Sequence, residues 1–239
     1  MKKMSKMLFA VLAAGLVAAP SYAQAPAQSP APSLRPVTVG KPMPDFTLPT
    51  YQGGNVTLSQ LRGKTVVLVF LRGHVAPGAW CHVDNFQHSS LVDFDARTQF
   101  QKKNNAEILM VFPYDKTEVD KWVQRYPQQI ADIEKNEKSP YHIVNTFKVT
   151  EKAPTTFPIL LDADRSLTKG LGIFSTDWSG SKEEQDVPTT IVIDPDGVVQ
   201  FKYFSQNTID RPGIEYMNKV VNWINEQRSN RSMKSSSSR

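Results

Sequence analysis

The chain has 239 residues and carries 28 Lys and Arg against 23 Asp and Glu, so its formal charge is +5. The excess is terminal: without Lys2, Lys3 and Lys6 the balance is 25 to 23, and without Arg228, Arg231, Lys234 and Arg239 as well it is 21 to 23. A near-neutral centre with no basic patch interleaved with aromatics excludes nucleic acid as an expected partner, and a single cysteine, Cys81, excludes an internal disulfide.

Lys2, Lys3 and Lys6 precede an apolar run from Leu8 to Ala19, and Ser21-Tyr22-Ala23 supplies small residues at the positions a signal peptidase reads. This predicts a signal peptide over 1–23, cut after Ala23, and a periplasmic or secreted protein with no transmembrane span once the signal is removed. Gln24 to Val39, rich in Ala, Pro, Ser and Gln, reads as a disordered linker. The folded domain is expected over 40–227, followed by a disordered basic tail over 228–239.

Within the domain, Phe46 and Leu48 face Val56 and Leu58 across a Gly53-Gly54 turn, a short hairpin. Ser59 to Lys64 forms one helical turn ended by Gly63, and Thr65 to Leu71 is a continuous apolar run that suits a central strand covered on both faces. Ala79 to about Asn104 is expected as a helix with Val83, Phe86, Ser90 and Phe94 on its core side. That places Cys81 on the opposite side, near Asn85 and His88. Ile108 to Phe112 predicts a second buried strand and Thr117 to Tyr126 an amphipathic helix. The stretch 127–158 reads as an insertion.

Ile159 to Asp162 predicts a short strand, Arg165 to Leu171 a short helix, and Thr189 to Asp194 a strand of β-branched residues. Pro195-Asp196-Gly197 is a tight turn leading to a returning strand at Val198 to Phe204, and Ile214 to Asn225 closes the chain as a helix. The order implies an α/β fold: a parallel sheet extended by an antiparallel edge, with helices on both faces.

Four segments in this order carry a resemblance. They are Gly40-Lys41-Pro42-Met43-Pro44-Asp45-Phe46-Thr47-Leu48, the strand leading into Arg72-Gly73-His74, Val187-Pro188-Thr189-Thr190-Ile191-Val192-Ile193-Asp194-Pro195-Asp196-Gly197, and Asp210-Arg211-Pro212 before the last helix. Over about 38–226 the chain resembles thioredoxin-fold redoxins of the alkyl hydroperoxide reductase / thiol-specific antioxidant family. The resemblance implies a thioredoxin-like mixed sheet, antioxidant thiol chemistry, a peroxide or a protein thiol or disulfide as substrate, an external thiol as reductant, and no cofactor. It also implies that Val187-Pro188 is a cis bond lying against the reactive loop, with the Val187 backbone free to pair with a bound substrate.

The family's usual cysteine positions fall on Ala76 and Ala79, which leaves Cys81 two residues beyond them. A sulfur in the first turn of a helix is still favoured as a thiolate. The expected catalytic group is therefore Cys81 as nucleophile, Arg72 as the stabilising cation, and His74 (or His82) as proton carrier. Val187, Pro188 and an exposed Trp80 are the expected substrate-binding residues. Two other functions compete. One is a binding module on a redoxin scaffold that has lost its chemistry. The other is a metal site from His74, Cys81, His82 and His88, which one cysteine supports poorly, so no metal is expected.

Overall fold

The computed structural model describes residues 37–135 and 153–236. The expected signal peptide, the linker as far as residue 36, and residues 136–152 of the expected insertion lie outside them. In chain order the elements are β1 (Thr47–Pro49), β2 (Asn55–Thr57), a 3₁₀ turn (Leu58–Leu61), β3 (Thr65–Phe70), β4 (His74–Ala76), β5 (Ala79–Trp80), α1 (His82–Thr98), α2 (Phe100–Asn104), β6 (Ala106–Phe112), α3 (Lys116–Lys135) and a second 3₁₀ turn (Ala153–Thr155). They continue with β7 (Ile159–Leu161), α4 (Ser166–Gly170), β8 (Phe174–Ser175), β9 (Gln185–Asp186), β10 (Thr189–Ile193), β11 (Val199–Phe204) and α5 (Ile214–Ser236).

The central sheet has the order β11-β10-β3-β6-β7. β3, β6 and β7 run parallel, while β10 is antiparallel to β3 and to β11. Every residue of β3 is buried, as a continuous apolar run requires of a strand covered on both faces. The alternation of side chains then sorts the core into two layers. Val67, Val69, Ile108, Met110 and Phe112 meet α1, α3 and α5 through Leu91, Phe94, Val119, Trp122, Tyr126, Met217, Val221 and Ile224. Val66, Leu68, Phe70, Leu109 and Val111 meet Val37, Met43, Leu48, Leu58, Leu171 and Ile173. The three long helices thus share one face, and the N-terminal hairpin and α4 cover the other.

Several boundaries differ from the sequence reading. Val37, placed in the linker, is 1% exposed in the second core layer. α3 does not stop before Pro127 but runs on to Lys135. Its buried stripe of Val119, Trp122 and Tyr126 is continued at helical spacing by Ile130 and Ile133, and that packing outweighs the helix bond the proline forfeits. α5 continues to Ser236, so most of the expected disordered tail is helical. Arg228, at the start of this extension, lies 3.6 Å from Asp196 in the turn between β10 and β11.

α1 departs furthest. It starts at His82 rather than Ala79 and ends where Gln99 takes the left-handed conformation, with α2 following. Its expected polar side is buried. Asn85 accepts a hydrogen bond from Trp122 Nε1 (2.7 Å) and donates one to Gln129 Oε1 (2.7 Å), and His88 Nδ1 lies 3.0 Å from the Tyr126 hydroxyl. Polar groups can line a helix interface when they are paired in this way.

Candidate active site

The chain leaves β3 at Arg72-Gly73 and enters a small hairpin in which His74 pairs with Trp80 and Ala76 with Ala79. Gly78 turns it at φ +69°. The hairpin brings the chain back to its start, where the Cys81 N–H donates to the Gly73 carbonyl at 2.8 Å. Cys81 is therefore the residue that caps α1 at its N-terminus. Ala76 and Ala79 occupy the exposed tip instead. This corrects the placement of Cys81 two residues into a helix begun at Ala79. The hairpin absorbs the residues between Gly73 and Cys81 and delays the helix by three positions.

Cys81 is 4% exposed. Arg211 Nη2 lies 3.9 Å from its Sγ, and the same nitrogen donates to Asp84 Oδ1 at 3.0 Å. Asp84 Oδ2 accepts the Gly73 N–H at 2.9 Å. Arg211 Nη1 donates to the Asp210 carbonyl at 3.0 Å and to the Thr208 carbonyl and Ser205 Oγ at 3.4 Å. Burial pushes the Cys81 thiol up to about 12, with the Asp84 charge adding to the rise and Arg211 and Arg72 opposing it. Burial likewise raises the Asp84 carboxyl, against the pull of Arg211 and the Gly73 N–H. The group is a buried thiol beside a buried ion pair at the positive end of a helix.

Among the remaining expected site residues, Arg72 acts on the sulfur through its charge. Arg72 is buried, but its Nε donates to Gln185 Oε1 (2.7 Å) and its guanidinium lies over Trp178, 4.9 Å from the ring centroid. His74 Nε2 lies 2.8 Å from Glu118 Oε1, and its ring centroid is 4.0 Å from that of Trp80. Trp80 is 4% exposed rather than an exposed anchor, because the hairpin folds its ring onto Phe112 and Tyr114 at the end of β6. The described residues hold no cis peptide bond, so Val187-Pro188 is trans. The Val187 N–H is taken by the Ile173 carbonyl (2.7 Å) and its C=O by Thr189 Oγ1 (2.8 Å), so neither is free for a substrate. Pro188 is buried and its carbonyl accepts from Ser205 N–H at 3.0 Å. His82 is exposed and His88 fully buried, and among the described residues no three His, Cys, Asp or Glu side chains are gathered so as to hold a metal ion.

Arg211 and Asp84 are the residues the sequence reading missed as members of the site. Arg211 had a signal, since Asp210-Arg211-Pro212 was one of the four segments of resemblance. Asp84 stands three residues after Cys81, a spacing that puts the two on one side of a helix start. Arg211 also lines an apolar cleft of ≈ 390 Å³ between α1 and α5, with Val83, Phe86, Leu91, Ile214 and Met217 among its walls.

The AhpC/TSA family model matches residues 39–202. Two Mycobacterium tuberculosis proteins that bear a provisional peroxiredoxin name, from strains CDC 1551 / Oshkosh and ATCC 25618 / H37Rv, are each 27% identical over 164 residues, covering 68% of this chain and 82% of theirs. Among solved structures, a mutant of peroxiredoxin 6 from Arenicola marina superposes with a TM-score of 0.55 at 14% identity, covering 78% of this chain and 72% of its own. The mitochondrial 2-Cys peroxiredoxin from Plasmodium falciparum superposes at 0.54 and 15% identity, covering 80% and 96%. The structures share the fold, the family model spans more than half of the chain, and the chain belongs to the AhpC/TSA family.

Proposed function

We propose that this chain is an exported thiol-dependent peroxidase that works through Cys81 alone and is returned to its resting state by an external thiol. The observation that carries this reading is the contact between Arg211 Nη2 and Cys81 Sγ at the start of α1. A guanidinium and a helix N-terminus both favour a thiolate over a thiol. In the reaction the Cys81 thiolate attacks the terminal oxygen of a hydroperoxide. The O–O bond breaks, an S–OH group forms, and the departing alkoxide or hydroxide takes a proton. One external thiol condenses with the sulfenic acid, releasing water and leaving a mixed disulfide. A second thiol displaces Cys81 from it and carries away both oxidising equivalents. The N-terminal signal directs the chain to the periplasm or beyond, and a mature chain recovered there is expected to begin at Gln24.

Peroxide consumption with dithiothreitol as reductant tests the reading. The wild-type chain should turn over and trap a sulfenic acid reagent on Cys81, and Cys81→Ser should fall to the uncatalysed rate. Equal consumption by the two proteins would remove Cys81 from the chemistry.

A second reading is favoured by one specific observation. Cys81 is 4% exposed, and burial pushes its thiol up to about 12. A scaffold kept for binding would tolerate an inert thiol of this kind. It predicts that the wild-type chain consumes no more peroxide than Cys81→Ser.

A further inference from the structure

One nitrogen, Arg211 Nη2, meets both Cys81 Sγ, at 3.9 Å, and Asp84 Oδ1, at 3.0 Å. All three side chains are withdrawn from water: Arg211 is 7% exposed, Asp84 1% and Cys81 4%. A buried guanidinium paired with one carboxylate is neutral as a unit, whereas a second anion on the same nitrogen would leave net negative charge out of solvent. We propose that Asp84 sets the protonation of Cys81 by occupying Arg211, so that carboxylate and thiolate are alternative partners of one guanidinium.

The surroundings support an exchange of partners at this point. The second Asp84 oxygen is fixed by the Gly73 N–H at 2.9 Å, which keeps the carboxylate on Arg211. The other cation facing Cys81 is Arg72, from the end of β3, and its Nε is already engaged with Gln185. Among the remaining neighbours, Arg72 also acts on Asp84, and the Asp84 charge acts on Tyr114 beyond β6 and on Asp186 in β9. Asp186 is fully buried, and burial together with the Asp162 charge raises its carboxyl well above the usual carboxylate range. Removing the Asp84 charge takes from Arg211 the carboxylate paired with it, and the Cys81 sulfur already lies 3.9 Å from the same nitrogen.

The inference deepens the peroxidase reading but is tested without turnover, by the rate of Cys81 alkylation with iodoacetamide against pH on the full chain. Asp84→Asn is expected to lower the thiol titration midpoint by about two pH units and to raise labelling at pH 7 by at least about tenfold. Asp84→Glu should stay near wild type, and the double variant Asp84→Asn, Arg211→Gln should return to slow labelling. A midpoint that stays or rises in folded Asp84→Asn overturns the proposal, as does a double variant that labels as fast as the single one. Where Asp84→Asn does not fold, the wild type decides. An S–H stretching band that is missing in Cys81→Ser should persist in wild type to pH 9, and its absence at pH 7 overturns the proposal. Alkylation that follows the expected order while no protein consumes peroxide would sink the peroxidase reading and leave this one standing. Turnover with an unmoved midpoint would do the opposite.

Discussion

Gly73 ties the candidate site together at the scale of one residue. Its N–H holds Asp84 and its carbonyl holds the Cys81 N–H, so the carboxylate and the helix cap share one anchor. Its φ is +84°, and a Cβ built there would come within 2.4 Å of the Tyr114 ring and hydroxyl. Tyr114 has little freedom to withdraw, because its hydroxyl accepts from the His74 N–H (2.9 Å) and donates to the Glu184 carbonyl (2.6 Å). Gly73→Ala therefore combines backbone strain with a collision and should cost about 2 kcal/mol or more. Denaturant midpoints would show it, and a loss under about 0.5 kcal/mol, the range of an ordinary surface change, would mean the loop can move aside. The residues on either side show what adjacency conceals. Arg72 and His74 flank the anchor in sequence, yet one turns to Gln185 and the other to Glu118. The cation that reaches the sulfur, Arg211, comes from 130 positions away, and no spacing along the chain signals that approach.

The elements divide into those whose sequence declares their surroundings and those whose partners lie elsewhere. β3 and β6 are legible because a strand buried on both faces needs apolar residues throughout, whatever packs on it. α1 is not legible in this way. Its start is displaced by a hairpin hidden in seven residues, and its buried side is polar because α3 supplies the matching groups. Trp122 Nε1 donates to Asn85 Oδ1, and Asn85 Nδ2 donates to Gln129 Oε1, each at 2.7 Å. Read alone, Asn85 and His88 look like a solvent face; read with α3, they are the contact surface. Asn85→Ala would strand a buried indole N–H and a buried amide oxygen. At about 1–3 kcal/mol for each of the two unpaired groups, the loss should be about 2–6 kcal/mol, seen as a lower urea midpoint with an unchanged m value. A near-neutral result would mean that water or a shifted side chain replaces both partners, and the polar interface would then carry little of the stability of α1.

At the scale of the whole molecule, His88 couples the folded state to pH. It lies where α1, α3 and the segment leading into β7 meet, with its ring edge-on to Trp122, Tyr126 and Phe157 at centroid distances of 5.5, 5.3 and 5.8 Å. Its Nε2 has no hydrogen-bond partner, and burial lowers its pKa from 6.5 to about 3. A pKa lowered on folding means that the unfolded chain binds the proton first as pH falls. Stability is therefore full above about pH 6.5 and is lost progressively toward about pH 3. Asp186 acts in the opposite direction. Its carboxyl is raised well above the usual range by burial, so it stabilises the acid form of the fold and loses that contribution as pH rises. The two can be separated by substitution. At about 1.4 kcal/mol per unit, His88 alone should remove roughly 3 kcal/mol between pH 7 and pH 4. His88→Gln keeps a group for the Tyr126 hydroxyl but cannot take the proton. Its stability should accordingly change by roughly 3 kcal/mol less than that of wild type over the same interval, as measured by urea unfolding at both pH values. If wild type and variant lose stability in parallel, the imidazole is already protonated or relaxes into water in the folded state, and the acid sensitivity of the fold belongs to its carboxylates instead.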